Sequence, residues 1–252
     1  MKKPVSGTHD ASASPAKQKE ALLQEKITPP LDRKAKRNLI LVLVGFVLSI
    51  VASFYKDGLY IMGYIIAIVY STHGISRHKR SWAELGVKRG FGTDMKKVWY
   101  YSVVDAVVFQ VIPPMILVAF AFGYGAEVLQ EIKTRVSAVY SLANPTSIAT
   151  FLAIALVLTL MEEIAFRVTV QERLSWFIGT PSAIGIATIL FCLVHAVGAS
   201  GNPLVILTDI AGVAIDSVFF GIIYAKTHNL ALTWFTHYAA DVVGLLALLF
   251  IL

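Results

Sequence analysis

Apolar residues along the chain gather into seven long runs, near Leu39–Phe54, Leu59–Ile75, Val98–Phe122, Ser147–Leu174, Pro181–Val197, Leu204–Tyr224 and Leu230–Leu252. Short polar stretches separate them. A helix that crosses a bilayer needs about 20 predominantly apolar residues. The pattern therefore predicts an all-α fold, a polytopic membrane helix bundle of seven transmembrane helices, or eight if the last run is split. The first, second and fifth runs are short, and are expected to borrow flanking residues, tilt or stop partway. Pro113-Pro114 should kink or break the third, because proline lacks a backbone donor and clashes with the preceding turn. No period of about 20–50 residues repeats, and the two halves show no clear symmetry.

Composition agrees with the pattern. Hydrophobic residues make up 56% of the 252, charged residues 15%, and the mean hydropathy is +0.69. Soluble domains carry about 25% charged residues, so this chain cannot cover itself with polar groups in water. One cysteine, Cys192, excludes an internal disulfide framework. Two regions are expected: a disordered basic cytoplasmic tail over 1–38, with a short helix around Ala21–Ile27, and a transmembrane helical domain over 39–252. The tail is rich in Ser, Ala, Pro and Lys. No apolar run closely follows its first lysines, so it does not read as a cleavable signal.

Positive charge sets the expected orientation. The tail carries nine Lys/Arg against four acids, and the rest of the chain is nearly neutral. With the N-terminus cytoplasmic, 19 of the 22 basic residues fall on the inner side, leaving Lys56, Lys133 and Arg135 outside. Basic residues favour the cytoplasmic face. Seven crossings then put the C-terminus outside. Next to a membrane body, the basic tail reads as an orientation signal and a contact for anionic lipid, with no nucleic-acid partner. Ser76–Lys97, with Trp82, Leu85 and Val87, is expected along the cytoplasmic interface. Gly123–Asn144 is expected outside as an amphipathic helix, from its apolar positions Val128, Leu129, Ile132, Val136 and Val139.

The informative ionisable residues inside apolar runs are Asp105, Glu162, Glu163, Arg167, His195, Asp209, Asp216, His237 and Asp241. Charge in hydrocarbon costs several kcal/mol, so such groups face a protein interior or a water cavity. Polar contacts between helices are the structural alternative. It is favoured for Asp105 and evenly balanced for Asp209 and Asp216, which share a helix face. Glu163 and Arg167 are spaced i, i+4 with the acid first, the better order for an ion pair. Glu162 lies about 100° further round the helix. The economical assignment pairs Glu163 with Arg167 and leaves Glu162 facing a cavity as a candidate general base. His195 and His237 are able to join it. At about 1.5 Å per residue, the depths of Glu162, His195, His237 and Asp241 overlap within the error of helix starts, so a shared site below the cytoplasmic surface is geometrically allowed.

Glu-Glu-x-x-x-Arg at Glu162, Glu163 and Arg167, Phe-x-x-x-His at Phe191 and His195, and His-x-x-x-Asp at His237 and Asp241 occur in that order on separate membrane segments. Together they resemble the CAAX protease and bacteriocin-processing (CPBP, or Abi) family. These are intramembrane glutamic endopeptidases related to the Ras-converting CAAX proteases. The resemblance covers about 147–245, and Phe220-Gly221-x-x-Tyr224 with Asn229-Leu230 extends it. It implies an intramembrane peptide hydrolase without metal or other cofactor. Glu162 and His195 would activate water, His237 and Asp241 would stabilise the oxyanion, and Glu163 and Arg167 would support the site. The partner would be a peptide or protein, prenylated or otherwise membrane-associated, in the lipid bilayer.

The chain departs from the family at two places, with Val168 where glycine is frequent and Asp241 where asparagine is frequent. An ionised carboxylate cannot donate to an oxyanion, so Asp241 is read as acting through His237, one helical turn away. Other readings of the same residues remain: a catalytically silent scaffold or immunity-type protein, and a proton-coupled transporter. The transporter reading lacks its expected inverted repeat. Zinc held by His195, His237 and a carboxylate ranks below the metal-free reading, since no His-Glu-x-x-His occurs.

Overall fold

The computed structural model describes residues 33–56, 58–77, 86, 95–105, 107–108, 130–131, 134, 145–197, 199 and 201–251. The helix expected around Ala21–Ile27, the Pro113-Pro114 kink, Trp82, Leu85 and Val87, and nearly all of Gly123–Asn144 lie outside them. Among the described residues the regular structure is helical throughout: α1 Arg33–Ser53, α2 Tyr60–Arg77, α3 Met95–Asp105, α4 Pro145–Glu163, a π-helical segment Ile164–Gln171, α5 Glu172–Ile178, α6 Thr180–Ala196, α7 Pro203–Thr227 and α8 Leu230–Ile251. α4, the π segment and α5 run on without a break, which leaves seven rods. The last apolar run is one helix, not two.

Among the described residues, three stretches are long and apolar enough to cross a membrane: Lys36–Ser53, Ala149–Ile178 and Pro203–Thr227. Tyr60–His73 and Thr180–Ala196 are apolar but shorter, as expected for the second and fifth runs. Leu41, Leu48, Val69, Val157, Ile189 and Leu207 are all more than half exposed. Large aliphatic side chains facing outward suit lipid, where burial inside the protein brings no hydrophobic gain.

The turns between rods follow local chemistry. Gly179 at φ 81° closes α5, its N–H donating to Ser175 O, and Pro181 then starts α6. Proline suits a first helical turn because that N–H has no partner there. Asn202 caps α7 by accepting from Leu204 N at 2.9 Å, followed by Pro203. His228, left-handed at φ 45°, ends α7 with its N–H on Tyr224 O, and Asn229 Oδ1 accepts from Leu232 N to begin α8. Such side-chain acceptors satisfy N–H groups a helix start leaves over.

Packing converges on the π segment. α1 and α2 form a close hairpin at Gly63, where a Cβ would run into Ser49 Oγ and the Phe46 ring. α2 meets the π segment through Ser71 Oγ, 2.6 Å from Thr169 Oγ1. That Thr169 hydroxyl also lies 3.0 Å from Ile164 O, five residues back, and 3.2 Å from Ala67 O. α7 contributes two rungs one turn apart, Ser217 beside Arg167 and Gly221 O accepting from Gln171 Nε2 at 2.9 Å. The rings of Phe46, Tyr64, Phe166 and Phe191 form a continuous edge-to-face core, with Phe46–Phe166 at 5.4 Å and Phe166–Phe191 at 4.8 Å. Aromatic pairs prefer such geometry.

Candidate functional site

Glu162 and Glu163 are the last two residues before the helix widens. In a π turn each N–H reaches back five residues, as Glu172 N–H does to Arg167 O. Everything from Ala165 to Gln171 is buried, including a completely covered Arg167. Arg167 was counted among the cytoplasmic-side charges from the sequence. It is instead an interior residue, and Arg173, counted with it, is buried as well.

The two glutamates have different surroundings. Glu163 is fully buried and doubly engaged: Arg167 Nε lies 3.3 Å from Oε2, and Oε1 accepts from His237 Nδ1 at 2.9 Å. Arg167 also points Nη1 and Nη2 at Ser217 Oγ, 3.4 and 3.3 Å away, with its guanidinium carbon 5.8 Å from the Phe191 ring centre. The expected Glu163–Arg167 pair is present, extended by a histidine. Glu162 keeps 16% of its side chain exposed. Its Oε1 accepts from Tyr64 Oη at 3.2 Å, and Oε2 lies 3.7 Å from His237 Nε2.

His237 is the hub. A carboxylate accepts only, so the contact with Glu163 puts the proton on Nδ1. Nε2 is thereby turned toward Glu162 and toward Asp241 Oδ1, also at 3.7 Å. The ring stacks on Phe220 at 4.6 Å and meets the edge of Phe191 at 5.8 Å. Asp241 is 43% exposed at the open side of the cluster. Its i, i+4 relation to His237 holds, but the hydrogen bond that fixes the imidazole comes from Glu163.

His195 reaches the cluster across an aromatic ring. Its own ring is 4.4 Å from that of Phe191, the ring that also touches His237. His195 Nδ1 is 2.9 Å from Phe191 O. A carbonyl also accepts only, so Nδ1 carries the proton and the exposed side chain presents the Nε2 lone pair. Of the six residues singled out from the sequence, Glu162, Glu163, Arg167, His237 and Asp241 form one contact network. His195 flanks it. Among the described residues no three His, Cys, Asp or Glu side chains converge in a metal-binding arrangement.

Of the other acids in apolar runs, Asp105 is fully buried on α3, and Asp209 and Asp216 lie on α7. Two contributors escaped sequence reasoning. Ser217 gave no signal, being one hydroxyl in an apolar helix. Tyr64 stands among Tyr60, Tyr70 and other apolar residues of α2 and is 98 positions from its partner.

Comparison with known proteins follows the same segment. A family model described as type II CAAX prenyl endopeptidase, Rce1-like, matches residues 144–243. No curated protein and no solved structure matches the chain.

Proposed function

We propose that this integral membrane protein, whose residues 144–243 match the Rce1-like type II CAAX prenyl endopeptidase model, is an intramembrane glutamic endopeptidase in which Glu162 activates water. The observation that carries this reading is the inequality of the glutamates. Glu163 is used up by Arg167 and His237, whereas Glu162 is partly open and faces His237 Nε2. A general base has to reach water and sit within hydrogen-bond range of the proton it takes.

In the proposed reaction Glu162, aided by the Nε2 lone pair of His195, takes a proton as the water oxygen bonds to the peptide carbonyl carbon. His237, held upright by Glu163 and Phe220, acts in the doubly protonated form, balanced by Glu163 and Asp241, and donates from Nε2 to the developing oxyanion. Collapse of the tetrahedral intermediate breaks the C–N bond, and the proton returns to the leaving amine. Fixed donors aimed at developing charge are the strongest lever in such chemistry. The substrate is a peptide or protein C-terminal segment at the membrane, prenylated or unmodified. Seven crossings with a cytoplasmic N-terminus complete the proposal. The charge bias supports the orientation, and contacts between segments given the same side support the alternation: Gly86 O accepts from Leu230 N at 2.7 Å, and Glu131 Oε1 accepts from Asn202 N at 2.9 Å.

The test is single-turnover cleavage of a prenylated C-terminal peptide and its unmodified counterpart by the purified protein. Glu162→Gln keeps size and removes proton acceptance, so cleavage should fall at least about 100-fold with thermal unfolding unchanged. His195→Ala should behave alike, and the double variant little worse than either, because both act on one water. Normal cleavage by Glu162→Gln would remove the proposed base and leave a silent scaffold.

A further inference from the structure

We propose that Tyr64, on α2 and outside the segment matched by the family model, is a positioning residue that aims Glu162. The inference rests on the reading of Glu162 as base and extends it to the N-terminal helix hairpin.

Tyr64 is 1% exposed, and its ring is locked on three sides, by Phe46 at 6.1 Å, Phe166 at 5.9 Å and Tyr60 at 5.8 Å. The lock is sequence-specific: Gly63 lets α2 approach α1 closely enough for Phe46 to lie against the tyrosine. From this rigid seat the phenol donates to Glu162 Oε1 at 3.2 Å, leaving Oε2 directed at His237. Glu163 is held at Oε1 by the His237 Nδ1–H and at Oε2 by the ion pair with Arg167. Glu162 has no equivalent from its own helix, and a glutamate has three side-chain torsions to fix. A reacting group misplaced by about 1 Å can lose most of its advantage. One rigid donor on the oxygen facing away from His237 orients the carboxylate while leaving the other oxygen for water. Because part of Glu162 remains solvent-accessible, water replaces the lost donor when the phenol is removed, so a stability role for this bond is small.

The experiment compares Tyr64→Phe, Glu162→Gln, their double variant and Ser71→Ala in one detergent, with the prenylated peptide as probe. Tyr64→Phe should lower the rate at saturating peptide about 10-fold, the scale of one hydrogen bond to a charged group. Half-saturating concentration and thermal unfolding should stay at wild-type values. In the Glu162→Gln background the same change should cost nothing further, since a positioning residue acts only through its partner. Ser71→Ala, which cuts an α2 contact away from the carboxylates, should lower the unfolding temperature and keep the rate. A wild-type rate in Tyr64→Phe, an undiminished loss in the Glu162→Gln background, or a Ser71→Ala-like fall in stability without a rate effect would each overturn the proposal. If Glu162→Gln is inactive and Tyr64→Phe normal, only the positioning role fails. If Glu162→Gln cleaves normally, the base itself is wrong.

Discussion

Adjacent carboxylates in a membrane interior are tolerable only if each has its own solution, and Glu162 and Glu163 have different ones. Glu163 bridges Arg167 and His237 in full burial, so it acts on two elements at once. Removing one side of a buried pair leaves the other uncompensated and costs about 3–5 kcal/mol. Glu163→Gln should therefore lower both folding yield and thermal stability, and also slow cleavage by freeing His237. The comparison is with Glu162→Gln, which should melt like wild type. Equal melting of the two variants would contradict the assigned difference. Differential scanning of both proteins in one detergent makes the measurement.

At the scale of elements, the widened segment Ile164–Gln171 is where four helices are brought together. Its extra residue per turn is accommodated by close neighbours. α7 comes near enough for Gly221 that a Cβ would lie 3.0 Å from both Gln171 Oε1 and Ile184 Cγ2. Gly221→Ala should force Gln171 or Ile184 aside and destabilise by about 1–3 kcal/mol, as overpacking does. Gly185 faces open space. Gly185→Ala should be neutral or stabilising by about 0.5–1 kcal/mol through helix propensity alone. Unfolding midpoints of the two variants decide between a packing need and a mere tolerance for glycine. A loss in both would point to backbone effects unrelated to the π segment.

For the whole molecule, the proposed orientation ties charge bias to contacts between distant segments. Gly86 meets the start of α8, at the face proposed as cytoplasmic, and Glu131 meets the start of α7, at the face proposed as outer. Single cysteines in a Cys192→Ala background test it. A cysteine at 130 should react with an impermeant maleimide from outside intact cells, and one at 88 only after the membrane is opened. Labelling of position 130 from the cytoplasmic side alone would reverse the topology.

Periodicity and residue type along the chain were sufficient for the helical membrane class, the approximate bounds of the rods other than the third, and the ion pair between Glu163 and Arg167. These rest on hydropathy and on spacings within one turn, which a sequence carries directly. The three motifs marked Glu162, His195, His237 and Asp241 for the same reason, because charge in an apolar run stands out wherever it occurs. Tertiary structure alone decided how those groups meet. It widened the fourth segment into a π turn over Ile164–Gln171, passed Glu163 to His237 as well as Arg167, and set His195 behind the Phe191 ring. It also brought Tyr64 to Glu162 across 98 residues. A tyrosine on an apolar helix has no local feature that distinguishes a donor from core, since what it touches depends on how separate helices cross.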